Sequence, residues 1–96
     1  MSAPALSLEL KPKLAPKSKL RLDPKTGKYL LLYPEKGLLL NPTGAAILKL
    51  CDGEHALSAI VATLAVEFRG EPLVLQEEVL TFVQGLLDRG LLQAAP

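Results

Sequence analysis

Residues 30–53, LLLYPEKGLLLNPTGAAILKLCDG, constrain the fold more than any other part of the chain. The two leucine-rich runs are too short for helices and are bounded by turn residues, which is the pattern of short buried strands. Pro34-Glu35-Lys36-Gly37 reverses the chain between them. The period then changes to helical at Asn41-Pro42, where Asn is a good N-cap and Pro suits the first helical position because its missing N–H is not needed there. The spacing predicts a helix to about Cys51 that buries Ala46, Ile47, Leu50 and Cys51, with Gly53 as its left-handed stop. The run thus predicts a β-then-α unit with an exposed strand edge able to hold another chain.

The flanking segments extend this pattern. Leu20 and Leu22 alternate with Lys19, Arg21 and Asp23 as a first strand, and Asp23-Pro24-Lys25-Thr26-Gly27 makes a turn into a second strand over residues 28–33. Residues 38–40 form the third strand. Strands two and three are apolar at nearly every position, so both faces of the sheet expect cover, from helices or from a partner. Downstream, Leu57, Ile60, Val61, Leu64, Ala65 and Phe68 fall on one face of a second helix, which Arg69-Gly70-Glu71-Pro72 breaks. A third helix runs from Val74 or Leu75 to Arg89. Its apolar arc is wider than core packing requires, leaving one flank spare.

The expected fold class is α+β: a three-stranded antiparallel meander followed by a three-helix bundle, resembling a winged-helix unit with the wing moved to the front. Residues 1–18 mix Pro, Lys and small residues without a period and read as a flexible arm, with Leu6, Leu8, Leu10 and Leu14 as a face for docking. Residues 19–92 form the domain and residues 93–96 a tail.

The chemistry of the chain points away from catalysis. There is one His and one Cys, too few for a hydrolytic triad or a zinc set. His55 follows an Asp-Gly-Glu turn with no carboxylate pattern marking it as a base, and Cys51 sits at the negative end of a helix dipole, which raises a thiol pKa. Glu77 and Glu78 point 100° apart on a helix. The glycines are dispersed and make no phosphate loop. The reading is a non-enzyme with no cofactor and no metal. The lone cysteine, with no apolar run of signal-peptide or membrane-helix length, places it in the cytoplasm as a soluble protein.

Charge separates the binding classes. Residues 1–40 hold eight Lys or Arg against three acids, a net of +5, while residues 41–96 hold three against seven, a net of −4. A helical half with Glu77, Glu78 and Asp88 exposed suits DNA phosphates poorly, so winged-helix DNA binding is the weaker alternative. The stronger reading is a peptide-binding module in which an extended peptide adds to the edge of the third strand beside the third helix. Self-association, as a homodimer through the strand edge or the N-terminal arm, is a further reading.

With these residues in view, the chain resembles the PqqD family, peptide chaperones of pyrroloquinoline quinone (PQQ) biosynthesis, over residues 19–92. The resemblance rests on Leu20-Arg21-Leu22-Asp23, Leu31-Leu32-x-Pro34-Glu35, Leu40-Asn41, Ile47-Leu48-x-Leu50-Cys51-Asp52-Gly53, Ile60-Val61 and Arg89-Gly90-Leu91-Leu92. It implies binding of a ribosomally made precursor peptide and its presentation to a radical SAM enzyme that crosslinks a Glu and a Tyr of that peptide. Related domains recognise leader peptides of other modified-peptide pathways, which is the alternative within the family. The implied groove comprises Gly37, Leu38, Leu39, Leu40 and Asn41 with Val79, Phe82, Val83 and Leu86. One departure stands out: Ala56 occupies the position at the start of helix two where the family often has a capping Thr.

Overall fold

A computed structural model describes residues 6–33 and 36–95. The fold is mixed α+β, with three helices and antiparallel sheets. Strands β1 (Lys11–Leu14), β2 (Lys19–Leu22), β3 (Tyr29–Tyr33) and β4 (Lys36–Leu39) precede helices α1 (Pro42–Lys49), α2 (Leu57–Phe68) and α3 (Pro72–Asp88), and strand β5 (Leu92–Ala95) closes the chain. One sheet has the order β2-β3-β4, and a second, two-stranded sheet pairs β1 with β5. The first half of the turn at Pro34-Glu35 lies outside the described residues.

The β2–β3 turn forms as its residues dictate. Asp23 accepts at Oδ1 from the Lys25 N–H (3.0 Å) and at Oδ2 from the Thr26 hydroxyl (3.1 Å), while its backbone N–H donates to the Lys28 carbonyl (2.8 Å). Leu31, opposite Leu38, is fully buried and faces the helices. The period of two therefore turns Leu30, Leu32 and Leu39 to the opposite face. Leu30 and Leu32 are half-buried and Leu39 is 56% exposed, so helices cover only one side of this sheet.

The expectation of a flexible arm over residues 1–18 is corrected for its described part, residues 6–18. Lys11–Leu14 pairs antiparallel with Leu92–Ala95, Lys11 opposite Ala95 and Leu14 opposite Leu92. The Ala15 N–H donates to the Leu91 carbonyl (3.0 Å) and the Gly53 N–H to the Pro12 carbonyl (2.9 Å). Pro12 and Ala15 are buried, and Leu6, Leu8, Leu10 and Leu14 pack against the chain's own core. Those leucines are the reason for order here: they bury apolar surface that local propensity alone does not reveal. The expected tail over residues 93–96 is corrected likewise, since Gln93, Ala94 and Ala95 belong to β5. A strand after the helices also means that strands and helices are not fully segregated along the chain.

The same arm solves the problem posed by Ala56, which is the N-cap of α2 and has no side chain able to accept a hydrogen bond. The Leu57 N–H donates to the Leu10 carbonyl and the Ser58 N–H to the Leu8 carbonyl, both at 2.9 Å. Two of the orphan donors at the helix start are thus satisfied by backbone from 47 and 50 residues upstream. Gly53 is required nearby: its φ is +83°, and a Cβ there would lie 3.3 Å from both Lys13 Cδ and Ala95 Cβ.

The helices depart from expectation in detail. Asn41 caps α1, its Oδ1 accepting from the Gly44 N–H at 2.7 Å, with Pro42 in the first turn. The helix ends at Lys49 with Leu50 as C-cap, and it buries Ala45, Ile47 and Leu48 while leaving Ala46 and Leu50 half-buried. Pro72 starts α3, two residues ahead of the earliest expected start, because a proline that ends one helix is well suited to the first turn of the next. Leu57, Ile60, Leu64, Val79 and Val83 meet with Leu31 at the centre of the core, and Leu91 and Leu92 return onto it.

Cys51 is a structural thiol. It is buried, and its S–H donates to the Ile47 carbonyl at 3.2 Å. Burial, with a smaller push from the Asp52 charge, raises its pKa to about 12. At pH 8 a thiol-specific disulfide reagent is expected to modify native protein at least about 100-fold more slowly than denatured protein, because the native thiolate fraction is so small. Equal rates would place Cys51 at the surface. The same shift has a stability consequence. The preference for a neutral folded thiol is intact below the unfolded value near 9.0 and is lost as pH rises toward about 12.

Candidate functional site

β4 is an edge strand. Its inner side pairs with β3, and among the described residues no strand pairs with its outer side. Beyond it, Leu40 donates to the Tyr29 carbonyl at 3.0 Å and is buried, so the chain is anchored before α1 turns away. α3 lies across from this edge, and the space between forms a groove with a volume of about 760 Å³. Leu38, Leu39, Leu40 and Asn41 line the strand side, Thr43, Gly44 and Ile47 come from α1, and Val74, Glu77, Glu78, Thr81 and Phe82 come from α3.

The face that α3 turns to the groove follows from helical geometry. Leu75, Val79, Val83 and Leu86 form its buried stripe. The groove residues 74, 77, 78, 81 and 82 form a second stripe beside it, at spacings of i, i+3, i+4, i+7 and i+8. Gly44 permits the close approach of Phe82, since a Cβ on it would sit 3.4 Å from the Phe82 ring and 3.1 Å from Asn41 Oδ1. The capping bond of α1 and the groove wall therefore share one residue.

Of the site residues expected from the sequence, Leu38, Leu39, Leu40, Asn41 and Phe82 come together here. Gly37 is exposed on β4 opposite Leu32 and does not line the groove. Val79 and Val83 are fully buried and Leu86 is 4% exposed, so these three belong to the core and do not line the groove. The expectation centred the groove on the most apolar face of α3, which is the face the core claims. The residues missed were Thr43, Gly44, Ile47, Val74, Glu77, Glu78 and Thr81. The signal available for four of them was the spare flank of the third helix.

The strand and α1 sides of the groove are uncharged and mostly apolar, and its two carboxylates, Glu77 and Glu78, lie on the α3 side. A second hollow, of about 350 Å³, lies at the other end of β4, near the end of α3, and is lined by Lys17, Tyr33, Lys36, Arg89 and Leu91.

Two polar groups elsewhere bear on chemistry. His55 Nδ1 lies 2.9 Å from Asp52 Oδ1, a carboxylate partner that the sequence pattern did not mark. Asp52 also accepts from the Glu54 N–H (2.9 Å) and the His55 N–H (3.2 Å), which makes the pair part of an exposed turn. The hydrogen bond from the His55 ring, followed by that from the Glu54 N–H, holds the Asp52 carboxyl below the usual carboxylate range. Among the described residues, no group of three or more His, Cys, Asp or Glu could hold a metal ion, and no helix is long and apolar enough to cross a membrane.

Comparison with known proteins gives this arrangement a context. Residues 21–92 match the family described as Coenzyme PQQ synthesis protein D (PqqD). The chain is 32% identical over 91 residues to a PqqA binding protein of Rhodopseudomonas palustris (strain HaA2), covering 95% of this chain and 89% of that protein. It is 30% identical over 82 residues to the bifunctional coenzyme PQQ synthesis protein C/D of Methylorubrum extorquens, covering 85% of this chain and 22% of the longer protein. Among solved structures, it resembles the solution NMR structure of the PqqD truncation of Methylobacterium extorquens PqqCD, described as a stand-alone RiPP recognition element. The TM-score is 0.73 and the identity 30%, with 85% of this chain and 87% of that one covered.

Proposed function

Because the chain belongs to the PqqD family, we propose that it is a non-catalytic carrier in PQQ biosynthesis, which binds the PqqA precursor peptide by strand addition at β4 and presents it to a radical SAM enzyme. The observation that carries this reading is the β4 edge beside an open groove. β4 offers backbone donors and acceptors outward, Leu39 stands exposed beside them, and the α3 wall is set back far enough to admit side chains. A strand docked there makes about four backbone hydrogen bonds worth roughly 1 kcal/mol each and buries about three side chains worth roughly 2 kcal/mol each. Association and ordering costs of several kcal/mol then leave an affinity of roughly tens of micromolar or weaker unless more contacts form.

The chemistry of the site favours binding over turnover, because its side chains are apolar, acidic, amide or threonine hydroxyl and, among the described residues, neither Thr43 nor Thr81 is hydrogen-bonded to a base. The cytoplasm is the compartment this reading implies, since the partner is made on the ribosome. The winged-helix-like description of the helices, with the sheet placed ahead of them, belongs to the same proposal. DNA binding is disfavoured by Glu77 and Glu78, which stand exposed where a recognition helix needs bases. A homodimer through the arm is disfavoured because the leucines of the arm pack on the chain's own core. A homodimer through the β4 edge would compete with the peptide for the same hydrogen bonds.

Amide NMR titration of the labelled chain with a PqqA precursor peptide tests the proposal. Saturable shifts are expected in residues 36–44 and in the 74–82 flank of α3, with Val79 and Val83 responding only secondarily. Absence of shifts at millimolar peptide would reject PqqA as the ligand and favour the leader peptide of another modified-peptide pathway.

A further inference from the structure

The groove and the cationic hollow lie along the same pair of elements, β4 and α3. β4 runs from Lys36 at the hollow to Leu39 at the groove, and α3 runs the other way, from Val74 at the groove to Arg89 at the hollow. Glu78 and Arg89 are 11 residues apart, close to three helical turns, so they share one face of α3 about 17 Å apart along its axis. Residues 36–41 extend over about 17 Å, and the two lengths agree. Between the two ends the α3 face is open at Gly85, where a Cβ would meet nothing within 4 Å.

The two ends carry opposite charge. Glu77 and Glu78 line the α1 end, while Lys17, Lys36 and Arg89 surround the hollow at the hairpin end with Tyr33 beside them. Lys17 Nζ lies 3.6 Å from the position of a Cβ on Gly90, which puts its ammonium at the α3 terminus. Among the described residues the one ion pair is His55–Asp52, so no described carboxylate neutralises these three cations.

We propose, on the strand-addition reading above, that the Lys17–Lys36–Arg89 hollow takes a carboxylate side chain of the bound peptide. Repulsion from Glu77 and Glu78 keeps that carboxylate out of the other end. A bound strand that fits in either direction by backbone pairing alone is thereby given one direction and one register. The ligand class is an extended apolar peptide with an Asp or Glu about five residues from the segment that lies over Leu39 and Phe82, a spacing set by the roughly 17 Å between the poles.

Calorimetric titration of the full chain with a PqqA precursor peptide, and with variants in which each Asp or Glu of that peptide is singly changed to Asn or Gln, tests this on wild-type, Lys36→Gln and Arg89→Gln protein. One peptide carboxylate is expected to matter: its neutralisation weakens binding about 5–10-fold on wild type and less than about 2-fold on Lys36→Gln or Arg89→Gln, the signature of a direct pair. Both protein positions are exposed, and circular dichroism confirms that the variants fold. Binding of the precursor with no carboxylate coupled to Lys36 or Arg89 would overturn the charge reading and leave strand addition standing. Failure of the unmodified precursor to bind would overturn PqqA as the ligand and, with it, the charge reading built on that peptide.

Discussion

A chain that begins at Lys19 is expected to be largely unfolded at 25 °C, although residues 21–92 carry the whole family match. The truncation removes β1, leaving β5 with no partner, and deletes the Leu8 and Leu10 carbonyls that accept from the start of α2. It also strips buried Pro12 and Ala15 and four half-buried leucines from the core. At about 25 cal/mol per Å² of apolar surface, losses of this kind amount to several kcal/mol. A domain of this size has about 5 kcal/mol or little more to lose. Far-ultraviolet circular dichroism and guanidinium unfolding of both chains decide the point. A cooperative transition in the truncated chain with a midpoint close to that of the full chain would show that the N-terminal segment adds nothing to stability.

The second large effect concerns binding. Leu39→Glu places a charge on a side chain that is 56% exposed at the mouth of the groove, so the free protein is expected to keep its fold and unfolding midpoint. Affinity for a PqqA precursor peptide is expected to fall by at least about 30-fold, roughly 2 kcal/mol, because the bound peptide would have to desolvate the carboxylate next to Glu77 and Glu78. Phe82→Glu tests the opposite wall less cleanly, since that ring is half-buried against Gly44. Unchanged affinity in folded Leu39→Glu protein would move the peptide away from β4.

The sequence was most legible where a local rule decides the structure. Asn41-Pro42 set the start of α1, the Asp23–Gly27 turn joined β2 to β3, and the spacing of Leu57, Ile60, Val61 and Leu64 gave α2 its buried face. It was illegible where the partner is distant. Nothing near Lys11 shows that it will pair with Ala95, and nothing near Ala56 shows that its helix is capped from residues 8 and 10. The groove fell between these cases. Leu38–Asn41 could be read from the strand edge, but a helical wheel ranks residues by apolarity and so selects Val79, Val83 and Leu86, which pack inward. Glu77, Glu78 and Thr81 are polar, and their place in the groove follows only once the core stripe has been assigned.

The β1–β5 ladder also fixes where the polypeptide can be extended. Lys11 stands opposite Ala95, so the start of β1 and the end of β5 are neighbouring strand ends, while the chain ahead of β1 runs on to the start of α2, where the Leu8 and Leu10 carbonyls accept from its first N–H groups. A domain fused at the back would therefore be tethered beside β1, and one fused at the front would leave from the segment that caps α2. The bifunctional relative shows that a related unit exists within a longer polypeptide. For this chain, a linker attached after Ala95 leaves from beside β1, and a cut in a surface loop such as the Asp23–Lys28 turn would spare both the β1–β5 ladder and the cap of α2.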